Sequence, residues 1–281
     1  MCHAFLGGAL PGLAAIHLKQ LNIFGMITRM PGSILHRHSV HALTCLPKSA
    51  NSWLFQIRSL CIQYQLSHPL DLLSDPLSKY SYNKTVKSSV VSYWERKLRA
   101  EAEGLTSLVY FNPNYMSLVK PHPILISCGS NPFEVHKACL TLKMLAGRYL
   151  TDMLQRHWTP NKSGNCLLPA CIGQETPGTL EHLLLFCPSL ALKRRGLLNL
   201  AMRLFNEHPV LQFLLSKHLL YSTNPHNTMQ FLIDCTSVSD VIISVQRLGP
   251  VIRDRLLYFG RTWCYTIHRE RVIQLGLLKF R

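Results

Sequence analysis

Four residues between positions 165 and 188 constrain this chain more than any other feature. They are Cys166, Cys171, His182 and Cys187, spaced Cys-x4-Cys-x10-His-x4-Cys. Three thiols and one imidazole make a closed tetrahedral donor set for Zn²⁺, and such a set dictates the path of the backbone between its members. Pro169 and Gly173 favour turns around the first cysteine pair. Thr179 reads as a helix N-cap, with His182 three residues later in the first turn. Pro188 stops that helix directly after Cys187. On an unbroken α-helix, positions five apart differ by about 140° in direction, so His182 and Cys187 would not converge. Ending the helix before Pro188 lets Cys187 swing back toward the first turn. The competing reading of the same residues is three buried core cysteines and a helix-capping histidine.

On both sides of this stretch the apolar pattern is helical. Positions 14–30 form a helix closed by the turn Pro31-Gly32-Ser33. Within 52–66, Trp53, Ile57, Leu60 and Tyr64 mark one buried face. Positions 69–75 read as a proline-bounded connector. A helix over 83–103 points Val86, Val90, Tyr93, Trp94 and Leu98 inward and carries lysines and arginines outward. Leu105 to Phe111 reads as a short strand or buried extended segment, and Pro113, Pro121 and Pro123 then interrupt regular structure. Asn131 caps the next helix, with Pro132 first and Glu134 in the capping-box position. Val135, Ala138, Leu142, Leu145 and Tyr149 form its inner stripe. Lys137 and Arg148, eleven apart, fall within about 20° on its surface. Ser239 caps a short helix that ends at Gly249-Pro250. The last helix buries Ile252, Leu256, Phe259, Trp263 and Ile267. Tyr258 and Trp263 have rings able to stack on bases, but a stripe of this period is expected in the core.

The fold class is therefore mainly α: an irregular helical assembly with a small Cys-Cys-His-Cys zinc knuckle between helices. The expected regions are an N-terminal helical region (1–103), a proline-containing linker (104–130), a helix-plus-knuckle region (131–220) and a C-terminal helical tail (221–281). A second histidine group, His36, His38 and His41 with Cys45, lies on one helix. His36 points about 160° away from His38 and no carboxylate stands nearby, so an exposed basic helix is the expectation there.

Charge indicates the partner. Lys and Arg number 30 against 14 acidic residues, a formal +16, which favours nucleic acid ahead of a membrane surface. Arg156 and Lys162 precede the knuckle and Lys193, Arg194 and Arg195 follow it. With Lys137 and Arg148 they are the candidate phosphate contacts; a solvated positive face is the alternative. The start MCHAFLGGALPGLAAIHL lacks Lys and Arg and is cut by glycines and a proline, unlike a secretory leader. No apolar run approaches the length of a membrane span. Scattered cysteines in apolar stretches suggest a reducing compartment, nucleus or cytoplasm. No phosphate-binding glycine loop and no Gly-x-Ser-x-Gly occurs. Only Glu175 and Glu181 lie near the ligands, so catalysis is not expected and the zinc would be structural.

The segment KMLAGRYLTDMLQRHWTPNKSGNCLLPACIGQETPGTLEHLLLFCP resembles the region downstream of the polymerase in non-LTR (LINE-like) retrotransposon polyproteins. LKQLNIFGMITRMPG, KPHPILISCGSNPFEVHKA and RTWCYTIHRER resemble the same source, so the likeness spans nearly the whole chain. The knuckle and the RTWCYTIHRER tail are its most specific parts. The resemblance implies a fragment that positions element RNA or target DNA, binds no membrane or small-molecule substrate, and has the missing polymerase domain as a further partner. Reverse transcriptase and endonuclease chemistry needs converging carboxylates, and the aspartates here (Asp71, Asp75, Asp152, Asp234, Asp240, Asp254) are isolated. The alternative is a helical interaction module, or a nonfunctional remnant without nucleic-acid affinity. Unlike the usual polar loop, Leu167-Leu168-Pro169-Ala170 is apolar and is expected to pack on neighbouring helices.

Overall fold

Amphipathic helices account for nearly all regular structure. The computed structural model describes residues 7–45, 52–105, 108–112, 117–159, 162–206 and 208–277. Among them the only β-type pairing is an isolated bridge between Asn165 and Pro177. The chain divides into two units. One is Met1–Ala102 with Ser117–Pro121, and the other is Glu103–Met116 with His122–Arg281.

The first unit comprises α1 (Gly12–Thr28), α2 (Ile34–Cys45), α3 (Trp53–Gln63), α4 (Pro69–Ser74) and most of α5 (Lys79–Glu103). Val86, Val90, Trp94 and Leu98 of α5 are buried, as their spacing predicts. Helix α5 begins four residues earlier than expected, and Tyr82 joins its inner face. A Cβ on Gly25 of α1 would lie 2.2 Å from the Tyr82 ring, and the Tyr82 hydroxyl donates to the Leu21 carbonyl at 2.8 Å. Only glycine permits that approach. Trp94 Nε1 donates to the Tyr64 hydroxyl at 3.0 Å. The expected connector at 69–75 is itself a helix. His68 caps it by accepting from Leu70 N–H, and Pro69 occupies the first turn, where its missing N–H costs nothing. His36 bonds the Leu73 carbonyl while His38 and His41 are exposed. Met1 to Leu6, part of the stretch weighed as a leader, lie outside the described residues.

The second unit holds α6 (Pro123–Ile126), α7 (Pro132–Leu145), α8 (Asp152–Trp158), α9 (Ala191–Phe205), α10 (Pro209–Leu215), α11 (Pro225–Asp234), α12 (Ser239–Leu248) and α13 (Pro250–Gln274). Helix α13 is its hub and packs on α7, α9, α11 and α12. Ile252, Leu256, Phe259, Trp263 and Ile267 are all buried. A Cβ on Gly260 would sit 2.3 Å from the Leu232 carbonyl oxygen, so the absence of a side chain sets how closely α13 approaches α11. Buried charges are paired. Arg261 donates to Ser127 and reaches Glu134 at 3.4 Å, and Lys137 reaches Glu134 at 2.7 Å. Burial opposes ionisation of Asp234, but His122 at 3.5 Å and the Ser237 and Thr236 hydroxyls outweigh it and hold its pKa below the ordinary value.

Several expectations change. The expected linker 104–130 is not structureless, because His122 caps α6 and buries Ile124. Within it, 117–121 belongs to the first unit and the rest to the second. The described residues 108–112 form turns rather than a strand. The regions 131–220 and 221–281 share one unit, because α13 packs on α7. Val238, not Ser239, precedes α12 as its cap. One stretch, Pro225–Leu248, does have the length and hydropathy of a membrane span. It is broken at Cys235–Ser237, an 18-residue window within it is 56 % buried in the fold, and the ionised Asp234 lies within the stretch.

Candidate metal centre

The knuckle is assembled by short local bonds. Cys166 N–H donates to the Thr176 carbonyl and Gly178 N–H to the Gly164 carbonyl, closing a loop around the first two cysteines. Inside it, Pro169–Cys171 makes a tight turn with Cys171 N–H on the Leu168 carbonyl at 2.8 Å. Gly173 takes φ 81°, a left-handed conformation that suits glycine. Ser189 Oγ accepts from Ala170 N–H at 2.8 Å and ties the loop to the turn after Cys187.

The second half-site solves the convergence problem differently from the expected helix break. Thr179 Oγ1 caps the turn by accepting from His182 N–H at 3.1 Å. From His182–Phe186 the backbone widens into a π-turn, and Cys187 N–H donates to the His182 carbonyl at 2.7 Å. An i→i+5 bond makes residues five apart neighbours across one turn, which an α-helix does not. Pro188 then acts on its predecessor: Cys187 adopts φ −55°, ψ 118°, the extended conformation favoured before proline.

The four donor atoms all lie within 4.8 Å of one another, and all four residues are buried. Cys171 Sγ lies 3.5 Å from His182 Nε2 and 3.6 Å from Cys187 Sγ, while Cys166 Sγ lies 3.9 Å from Cys187 Sγ. In a tetrahedron with metal–sulfur bonds of about 2.3 Å, sulfurs stand ~3.8 Å apart. The donor set therefore fits a tetrahedral metal ion, and it leaves no donor position for water or substrate. Burial pushes the Cys166 thiol up to about 12 and also raises Cys171. His182 is lowered, first by burial and then by Arg194. Arg194 Nη2 donates to the Cys187 carbonyl at 2.7 Å.

Sequence spacing did not reveal the strut behind the knuckle. Arg271 Nη2 on α13 pairs with Asp152 Oδ1 at 2.9 Å, and Nη1 donates to the Leu150 carbonyl at 2.8 Å. Asp152 fills the space beside Gly178, where a Cβ would come within 2.6 Å of it. The available signals were a glycine at the loop's end and an arginine on the buried side of the α13 pattern.

The proposed phosphate contacts separate into groups. Arg148, Arg156, Lys162 and Arg195 are exposed, with Lys162 bonded to Gln155. Lys193 pairs with Glu270 at 3.2 Å and is 47 % exposed in its side chain. Arg194 is partly buried and engaged with Cys187. Lys137 is a correction: it is buried against Glu134 and lies over the Phe133 and Tyr258 rings at 4.5 and 5.4 Å, out of reach of a phosphate. Its helical alignment with Arg148 also fails, since α7 ends at Leu145 and the chain turns at Gly147. In the apolar loop only Leu168 is buried; Leu167, Pro169 and Ala170 are exposed. Among the described residues no second group of metal-ligating side chains forms, including the α2 histidines. No protein-family model, curated protein or solved structure matches the chain.

Proposed function

We propose that this chain is a non-catalytic, zinc-stabilised nucleic-acid-binding fragment of a retrotransposon reverse transcriptase polyprotein, positioning element RNA or target DNA. The convergence of Cys166, Cys171, His182 and Cys187 on one buried point carries the reading. A thiolate-rich tetrahedral set favours Zn²⁺ over harder divalent ions. Bound there, zinc supplies cross-linking of the loop, not a reactive water, because protein donors fill all four positions. Arg194 steadies the carbonyl of the fourth ligand. Exposed Arg156, Lys162 and Arg195, in a chain of formal charge +16, support contact with phosphates. Unpaired thiols throughout the fold suit a reducing setting, nucleus or cytoplasm.

Elemental analysis of the purified chain tests the first half, with one zinc per chain expected and none in Cys187→Ser. Filter binding to RNA and DNA across a salt series tests the second. Affinity should fall steeply with salt, and Cys187→Ser should weaken it. A metal-free folded protein, or salt-independent binding, overturns the proposal. A second reading is a helical module that binds another protein. Exposed Leu167 (51 %), Ile172 (73 %) and Phe186 (54 %) beside the ligands favour it. That reading expects no nucleic-acid affinity at moderate salt.

A further inference from the structure

Helix α13 buries one face and presents another of unusual chemistry. Arg255, Tyr258, Thr262, Tyr265 and Arg269 follow one another at steps of three and four, within an arc of about 80°. Arg255 and Arg269 are exposed, Tyr258 is 41 % exposed and Tyr265 is half-buried. From Arg255 to Arg269 this face runs ~21 Å. At one end it opens into a cleft of about 540 Å³, lined by Arg203 of α9 together with Val251, Arg255 and Tyr258. At the other end Tyr265 and Arg269 line a smaller cleft of about 230 Å³ with Lys193.

The rings are braced. Phe133 meets Tyr265 edge-on at 5.2 Å and His136 does so at 5.8 Å. Buried Lys137 sits 5.4 Å over the Tyr258 ring, itself held by Glu134. Local acids are already matched: Asp254 pairs with Arg253 and Glu270 with Lys193. Arg203, Arg255 and Arg269 form no ion pair among the described residues, so their charge is available to an anion.

We propose that this face of α13 is a track for single-stranded nucleic acid, with bases stacking on Tyr258 and Tyr265 and phosphates held by Arg203, Arg255 and Arg269. The proposal rests on the nucleic-acid reading above but places contacts away from the metal ligands. Fixed aromatic rings interleaved with arginines take unpaired bases, whose faces are free, in preference to a duplex, whose faces are stacked. It also gives Lys137 a role that burial leaves open, as a brace beneath a stacking ring.

The test is fluorescence anisotropy of the full chain, zinc-loaded, with a labelled oligouridylate and with a labelled RNA duplex. Tyr258→Ala should weaken oligouridylate binding about 5- to 150-fold. Tyr258→Phe should bind like the parent, and duplex binding should be unchanged in both. Arg255→Gln and Arg269→Gln should each reduce the slope of log K against log salt by about 0.7. Equal binding by parent and Tyr258→Ala overturns the track while leaving the knuckle reading in place. Equal losses in Tyr258→Phe and Tyr258→Ala also overturn it, because stacking does not need the hydroxyl. A parent protein that binds neither probe overturns both proposals.

Discussion

The knuckle and helix α13 lie in the same unit and are held by different physics. Helix α13 rests on burial: five large apolar side chains face inward, and Trp263 Nε1 donates to the Leu184 carbonyl at 3.3 Å. Nothing beyond the chain is needed for that. The knuckle buries Leu168, Leu183 and Leu184 around its rim, but at its centre it holds three thiols and an imidazole, and the neutral thiols make only weak contacts with each other. A few local backbone bonds outline it, and a bound ion is what would make its shape obligatory. One region is a product of apolar area and, with an ion bound, the other would be a product of coordination, so they should respond to different insults.

Metal removal should divide them most sharply. Structural zinc in finger peptides is worth on the order of 10–16 kcal/mol. After strong chelation, amide hydrogen exchange should accelerate by orders of magnitude across 164–188, while the middle of α13 keeps its protection. Joint loss of protection would show that the hub depends on the ion and would dissolve the contrast.

The next effect concerns the strut that links the two regions. Arg271→Met leaves the Asp152 carboxylate buried at 4 % exposure without its cation. Breaking a buried pair in this way costs about 3–5 kcal/mol, and removing both partners costs far less. Urea denaturation of Arg271→Met, Asp152→Leu and the double variant measures this. If the single variants lose under about 1 kcal/mol, this ion pair is not what couples the knuckle to α13, and the Trp263 bond to the Leu184 carbonyl remains as the link.

The two regions were also legible to different degrees. The α13 stripe follows from a 3.6-residue period, which burial enforces residue by residue, and all five inward positions are buried. That period says little about the outer face, so Tyr258 and Trp263 looked alike in sequence but the fold buries one and exposes the other. The four ligands were legible because coordination demands particular atoms, and the Thr179 cap because its side-chain oxygen is specific. The π-turn was not legible. It is a compromise between the His-x4-Cys spacing and Pro188, and no single residue announces it. Lys137 misled because its position on a helical wheel ignores Glu134 three residues before it and the rings that enclose it. The α4 helix was hidden because Pro69 reads as a breaker unless His68 is recognised as its cap.

A smaller effect tests whether the hub is as tightly built as its burial suggests. Gly260→Ala forces a Cβ against the Leu232 carbonyl, a backbone atom that cannot rotate away. Such overpacking costs about 1–3 kcal/mol. Gly196 on α9 has no heavy atom within 4 Å of its would-be Cβ, so Gly196→Ala should instead stabilise by about 0.4–1 kcal/mol. Thermal melts of the two variants should move in opposite directions, and a parallel shift would mean that α13 and α11 can separate without cost.

In the metal-free chain acid should produce the smallest of these effects, acting on the apolar side of the contrast through two buried histidines. His268 of α13 is held below its ordinary value of 6.5 by burial, then by Arg271, His136 and Lys143. His218 is also lowered by burial, which outweighs the opposing bond from Asp240. Asp240 itself is lowered by its bond to Lys217 and stays ionised as His218 begins to titrate. Below about pH 6.5 the unfolded chain takes up protons that these two histidines refuse in the fold. Stability should therefore decline as pH falls from 6.5 and level off only once the folded values are passed, with no contribution from these groups above neutrality. Urea midpoints at several pH values would show this, and His218→Gln should flatten the profile. In Arg271→Met the His268 share should shrink as well, because one of the charges that lowers it is gone. A profile unchanged in both variants would move the acid sensitivity away from these histidines and from the α13 hub.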